Sequence, residues 1–425
     1  MIEGILRLRG RILRAGVPSL VSRGAVVVWG LFSILIVRAL PRDAYAAYSI
    51  ARSIQFFGIM LGGGFVMQAI TKFVAEGVTD REKRITNAGI VLSMGIAVLV
   101  AMVILALGGT LRSFYAQIDL RGIPWVIALL VITSTASTLP HSILAARYRM
   151  VRMMVADVSS VAVRIGIVSI LLLRGSLTSP LQIFGAMICG NVVATIVGGL
   201  FARRHLSFRL RFRRRHLGML FGFSVVTLGA GLANTVHART DILLLGRLSG
   251  ELQTSGYAAC RTLTALVDNL NMAAKTIMLP LISRMWSQGR KGEIVPRVMG
   301  AILIISMIQI PVVAVFAGFP SGLLRALYGG KYDAAAPVLM ILGLLSLAKP
   351  FGSMFACMSV AVGKPSYTLY VITASALVNV ALNLMLIPPY GAVGAAIATT
   401  VSVVLGAAVI IVLSLRYLKR APNQP

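Results

Sequence analysis

The stretch Thr240–Met285 reads TDILLLGRLSGELQTSGYAACRTLTALVDNLNMAAKTIMLPLISRM. Most of it is apolar, yet Arg261, Asp268 and Lys275 recur every seven residues, and Thr264 and Asn271 each follow the first two by three. Seven residues is close to two helical turns, so these side chains share one face of an α-helix. A polar stripe of that length cannot face hydrocarbon, and the apolar faces around it cannot face water. The pattern predicts a membrane helix packed among others, with its charged face turned to a bundle interior or a wet cavity.

The same conflict holds over the whole chain. Of 425 residues, 58% are hydrophobic and 12% charged, while 41 Lys and Arg against 12 Asp and Glu leave a net charge of +29. Soluble domains carry roughly 25% charged residues. A pI near 11.4 taken alone points to nucleic acid, but a mean hydropathy of +0.89 demands a hydrocarbon solvent and excludes that class. Apolar stretches fall at 16–40, 46–70, 87–109, 122–145, 153–173, 181–201, 217–245, 257–282, 298–319, 334–361, 367–387 and 391–415. Each approaches the ~20 residues that span a bilayer. They predict an all-α polytopic membrane protein of about 12 transmembrane helices with short connections and no soluble domain.

Cations orient the chain, because short Lys- and Arg-rich loops stay cytoplasmic. Arg7 to Arg14, Lys72 to Arg84, Arg147 to Arg152, Arg203 to Arg215, Arg284 to Arg297 and Arg416 to Arg420 all fall on one side. The opposite loops hold only Arg42, Arg112, Arg121, Arg174, Arg247, Arg325 and Lys331. Both termini are therefore expected in the cytoplasm. Residues 1–15 read as a cytoplasmic interfacial segment and 203–216 as a basic cytoplasmic linker that anchors to anionic lipid or docks a biosynthetic partner. Cys189, Cys260 and Cys357 are scattered through apolar segments and predict neither disulfides nor a metal site.

The chain also repeats itself at an offset of 209. Arg38, Tyr48 and Arg52 match Arg247, Tyr257 and Arg261, and Gly185, Ala186 and Ile188 match Gly394, Ala395 and Ile397. A repeat of six spans enters the membrane from the same side each time. The expected architecture is two six-helix lobes, 16–202 and 217–418, followed by a tail at 419–425. They would be related by a pseudo-two-fold axis along the membrane normal, with the substrate path between them.

Intramembrane charges carry the functional reading. Arg23, Arg38, Arg52, Arg164, Arg239, Arg261, Lys275 and Lys349 lie within or near the ends of spans, against Asp157, Asp241 and Asp268. A charge at mid-membrane costs on the order of 3 kcal/mol or more, so a surplus of cations there expects an anionic visitor. Arg23, Arg52, Arg261 and Lys275 are the candidate substrate-binding cations, and Gln55, Asp268 and Asn271 the accompanying polar groups. Structural pairing with carboxylates or carbonyls is the competing account of the same charges. Asp157, His237 and Asp241 are candidates for proton relay or Na⁺ coupling, with pairing to arginine as the alternative. No phosphate loop, zinc-protease, kinase or nucleophile-elbow pattern occurs, so no catalytic site and no resident cofactor are expected.

The Thr240–Met285 stretch, LYGGKYDAAAPVLMILGLLSL at Leu327–Leu347, VITASALVNVALNLMLIPPYGAVGAAIATTVS at Val371–Ser402 and VRALPRDAYAAYSIARSI from Val37 together resemble one family. It is the multidrug/oligosaccharidyl-lipid/polysaccharide (MOP) flippase superfamily, in its branch of polysaccharide transporters and lipid-linked oligosaccharide flippases. The resemblance implies a two-lobed bundle with a central cationic cavity, alternating access, and export of undecaprenyl-pyrophosphate-linked glycan, such as an O-antigen or exopolysaccharide unit. It implies cavity arginines at Arg52 and Arg261, with Arg23 matched by location. The setting implied is the bacterial cytoplasmic membrane, with a monomer working beside a polysaccharide polymerase or glycosyltransferases. A cation-coupled multidrug or small-molecule exporter of the same superfamily is the alternative, but it would need more carboxylates than the first half offers.

Overall fold

The computed structural model describes residues 27–75, 79–203 and 214–420, together with Pro18, Val21, Ser22, Gly24 and Ala25. Arg23, the segment 1–15, most of the basic linker and the tail beyond Arg420 lie outside the described residues.

Among the described residues the chain is helical and contains no strand. In order, the helices are α1 (Val27–Ala39), α2 (Arg42–Ile59), α3 (Val66–Ala75), α4 (Thr79–Ala106), α5 (Gly108–Phe114), α6 (Ile123–Ala146) and α7 (Met150–Leu173). There follow α8 (Pro180–Ala202), α9 (Arg214–Leu248), α10 (Gly250–Ser287), α11 (Ile294–Gly318), α12 (Pro320–Tyr328), α13 (Ala336–Ala361) and α14 (Pro365–Arg420). Nine helical segments among the described residues are long and apolar enough to cross a membrane. The 38-residue α10 is not one of them, because its charged stripe lowers its hydropathy. It packs against α11 and α13, both of them among the nine.

Two helices depart from simple rods for identifiable reasons. The 56 residues of α14 would run about 84 Å at 1.5 Å per residue, far beyond the ~30 Å of a hydrocarbon core. Gly391, at φ 54° and ψ −131°, breaks it after Pro388 and Pro389 into two spans, 365–390 and 392–420. Only glycine is comfortable at such angles. The second expected span is likewise interrupted, by a π-wound turn at Met60–Gly64 that separates α2 from α3. Apolar periodicity could not show this turn. Backbone carbonyls freed in lipid need new donors. Thr135 donates to the Gly62 carbonyl at 3.0 Å and Thr227 to that of Phe65 at 3.1 Å.

Two of the connections are more ordered than loops. Helix α5 follows α4, and α12 starts on Pro320 and stops at Gly329 in the left-handed region. Each terminator matches the preference of a helix start for proline and of a helix end for glycine.

The chain divides into two compact units. One is built from the described residues up to Phe32 together with Ala39–Leu232, and the other from Ser33–Arg38 together with the described residues from Ala233 onward. In the first, α6 packs against α4 and α8, and α7 covers α8. Phe65, Val66, Ile70, Ile85 and Leu220 form a core there. In the second, α13 is the central helix, flanked by α10, α11 and α14, with Ile282, Val298, Met354 and Met358 at its core.

Candidate functional site

The stripe of α10 forms one wall of a cavity of about 390 Å³ in the second unit. Arg261, Asp268, Asn271 and Lys275 all line it, as their spacing along one helical face requires. Helix α9 contributes Asn234 and His237, α13 contributes Lys349 and Ser353, and α14 contributes Thr368, Ser375 and Thr399. Hydroxyls, two amides and cations thus converge on one space from four helices.

The charges in this cavity are unequally matched. Lys349 donates to both oxygens of Asp268, at 2.9 and 2.7 Å, so the single carboxylate on the wall is already neutralised. Arg261 donates to the Ala238 carbonyl at 3.4 Å. Among the described residues no carboxylate lies within ion-pair distance of Arg261 or Lys275. The side-chain oxygen of Asn271 is buried without a partner. The cavity therefore presents two cations with no carboxylate at ion-pair distance, together with spare polar atoms.

Behind the wall lies Asp241, 1% exposed. One of its oxygens accepts from the Tyr257 hydroxyl at 2.5 Å and from Thr399 at 2.9 Å. The other is buried without a partner, as are Asn383 Oδ1 and His237 Nδ1. Asn379 accepts from Asn383 at 3.0 Å and its amide nitrogen donates to Thr399 at 3.5 Å, so a buried polar chain leads from the carboxylate through Thr399 to two asparagines. A spacing of four puts His237 and Asp241 on one helical face, but spacing does not disclose Tyr257 and Thr399, which are 16 and 158 residues from Asp241. Lys349 appeared only as one intramembrane cation among several. A lysine inside an apolar run, directly before Pro350, was the available signal.

The remaining candidates lie in the first unit. Arg52 Nη1 donates to Gln55 Oε1 at 2.5 Å and its guanidinium sits 4.7 Å from the Phe56 ring centre. Asp157 accepts from Ser22 and faces His141 Nε2, while His141 Nδ1 faces the Ser137 carbonyl at 3.0 Å. Pro140 lies inside α6, but His141 also has this polar role, which its position after a proline does not disclose.

Comparison with known proteins agrees with this architecture. A family model described as polysaccharide biosynthesis protein matches residues 35–337. An uncharacterized membrane protein of Methanocaldococcus jannaschii is 24% identical over 214 residues, covering 50% of this chain and 41% of its own length. A probable low-salt glycan biosynthesis flippase of Haloferax volcanii, Agl15, is 21% identical over 183 residues, covering 43% of this chain and 39% of its own. The matched region thus spans about two-fifths of the length of these curated relatives. Among solved structures, an inward-facing MATE-family multidrug resistance transporter of the MOP superfamily aligns with a TM-score of 0.77 at 14% identity, over 96% of this chain and 98% of its own. The lipid II flippase MurJ in an inward closed conformation aligns with a TM-score of 0.75 at 14% identity, over 95% and 87%. The chain therefore belongs to the polysaccharide biosynthesis protein family, and its fold is that of these transporter structures.

Proposed function

We propose that the protein carries an undecaprenyl-pyrophosphate-linked oligosaccharide from the inner to the outer leaflet of a bacterial cytoplasmic membrane, by alternating access and with both termini in the cytoplasm. The observation that supports this most is the charge state of the second-unit cavity. Lys349 takes both oxygens of Asp268, and Arg261 and Lys275 have no carboxylate at ion-pair distance. A diphosphate carries the charge those two cations lack, and the hydroxyls of Ser353, Thr368 and Ser375 suit the sugar beside it. A cationic drug would meet the wrong sign of charge there. The coupling cation, Na⁺ or H⁺, is assigned to Asp241, whose unpartnered oxygen is the free carboxylate acceptor next to the cavity.

The test uses the full chain in proteoliposomes with a fluorescent lipid-linked oligosaccharide and an impermeant reagent that reads its leaflet. The Arg261→Ala, Lys275→Ala double variant is expected to abolish translocation of the pyrophosphate-linked substrate while inserting normally. Wild-type translocation by that variant would overturn the assignment.

A further inference from the structure

Four helices of the second unit bring their ends to one face around the core at Ile282, Val298 and Met358, and two of them stop in the same way. Helix α10 ends at Ser287 and α13 at Ala361, and each chain then passes through a glycine in the left-handed region, Gly289 at φ 72° and Gly363 at φ 82°. The residue after each glycine donates back to a carbonyl of the last turns, Arg290 to Met285 at 3.0 Å and Lys364 to Ser359 at 2.8 Å. This glycine cap sets a basic residue directly beyond each helix. Because α14 turns back at Gly391, its first and last turns lie on the same face, and α11 starts there.

Aromatic rings join these ends. Trp286 of α10 lies 6.1 Å from Tyr417 of α14, and Tyr417 meets Tyr367 edge-on at 6.1 Å, all three half-buried. Two lysines rest on them. Lys291 Nζ sits 5.2 Å from the Trp286 ring centre and Lys364 Nζ 5.0 Å from that of Tyr417. An unbroken series of contacts thus runs from Lys291 through two neighbouring rings to Lys364. A lysine that only complemented its own helix end would stay beside the carbonyls of that helix, whereas Lys364 crosses from α13 to α14.

The charge of this face is one-sided. Between Asp268 and Asp333 the sequence holds a single acidic residue, Glu293, and beyond Asp333 it holds none. Both oxygens of Glu293 accept from Arg290, at 2.7 and 2.6 Å. Arg284, Arg416 and Lys419 stand exposed close in sequence to Trp286 or Tyr417. The apolar segments Lys291–Gly318, Asp333–Ala361 and Pro365–Arg420 all begin or end here. The face therefore lies at the depth of lipid headgroups, where tryptophan and tyrosine concentrate.

We propose that this face binds an anionic phospholipid of the surrounding bilayer, with the phosphate between Lys291 and Lys364 and the glycerol and upper acyl chains against Trp286, Tyr367 and Tyr417. Each lysine is held over a ring before the lipid arrives, which lowers the ordering cost of binding. Two of the rings already carry an ammonium group, so they offer no cage to the choline of a zwitterionic lipid, and the surplus cations repel it. None of these five residues lines the cavity at Arg261 and Lys275, so the lipid site is separate from that of the transported substrate.

The test uses the full chain carrying Trp29→Phe and Trp125→Phe, which leaves Trp286 as its single tryptophan. It is reconstituted in phosphatidylcholine vesicles containing either brominated phosphatidylglycerol or brominated phosphatidylcholine at equal mole fraction. Quenching of Trp286 fluorescence reads which lipid stands beside it. The anionic lipid is expected to show at least about fivefold higher relative affinity, the contribution of one lysine near a membrane surface. Lys291→Gln with Lys364→Gln should bring the preference below about twofold. Tyr417→Leu removes the ring under Lys364 but keeps every charge, and should reduce the preference by at least about half. Lys364→Arg should retain it, since a guanidinium also stacks on tyrosine and binds phosphate. Equal quenching by the two lipids would overturn the site. So would a preference that the double lysine variant or Tyr417→Leu leaves unchanged, since that pattern reports diffuse surface charge. Relief of quenching by inorganic pyrophosphate but not by sulfate at equal ionic strength would give the cluster to the diphosphate of the substrate and overturn the lipid assignment.

Discussion

In the second unit Lys349 meets a carboxylate, Asp268, at 2.7 Å, whereas in the first unit Arg52 and Arg164 meet the amides of Gln55 and Asn191. The same class of intramembrane cation is thus treated in two ways. Neutralising Lys349 holds α10 to α13 and leaves Arg261 and Lys275 as the open charges of the cavity. Orienting Arg52 and Arg164 with amides leaves the charges themselves open. A count of cations cannot separate these cases, because the difference lies in the partner and in which helix supplies it.

The largest effect is expected at Arg261. Its replacement by Ala removes an open cation from a low-dielectric wall, where losing one member of a buried charged contact costs about 2–5 kcal/mol. Translocation of a pyrophosphate-linked substrate should fall at least about thirtyfold in the proteoliposome assay. A loss under threefold would place the anion elsewhere.

Next comes Asp241→Asn, which keeps the shape but removes the carboxylate charge beside Tyr257 and Thr399. Transport should become insensitive to Na⁺ and to pH, at a residual rate about tenfold lower if one charge-assisted contact of about 1.5 kcal/mol is lost. Retained cation dependence would transfer coupling to another group, with Asp157 the first to examine.

Breaking the neutralised pair should be milder and partly reversible. Lys349→Met leaves Asp268 alone on the cavity wall and should lower stability by about 2 kcal/mol, reduced from the range for fully buried pairs because Asp268 is one-third exposed. Lys349→Met with Asp268→Leu should recover most of it, a coupling visible in a double-mutant cycle of melting temperatures. Additive losses would mean that the pair does not hold α10 and α13 together.

The smallest effect is expected away from both charge clusters. Gly391→Ala puts a side chain on a residue at φ 54° and ψ −131°, with its Cβ 3.0 Å from Gln253 Oε1. The expected cost is about 1–3 kcal/mol of stability, seen as a lower melting temperature with substrate affinity unchanged.

Much of this was legible in the chain itself. The seven-residue spacing of Arg261, Asp268 and Lys275 put them on one face, and a single cavity receives all of them. Gly391 stood at the edge of an apolar run and proves to be the corner between the last two spans. The π-turn at Met60–Gly64 was not legible, because an apolar run has no periodicity to interrupt. Nor was the Asp241 cluster, since hydrogen bonds to residues far away in the chain leave no local spacing.

The sequence by itself determined the solvent, the helical class and the sign of the interior charge, because each follows from composition and from a period set by local backbone geometry. Only the tertiary structure decided which charges remain open. Arg261 and Lys349 look alike as cations in apolar helices, but packing brings a carboxylate to one and a carbonyl to the other. Electrostatic pairing acts over a few ångströms in space, and the chain brings those ångströms together from helices as much as 81 residues apart.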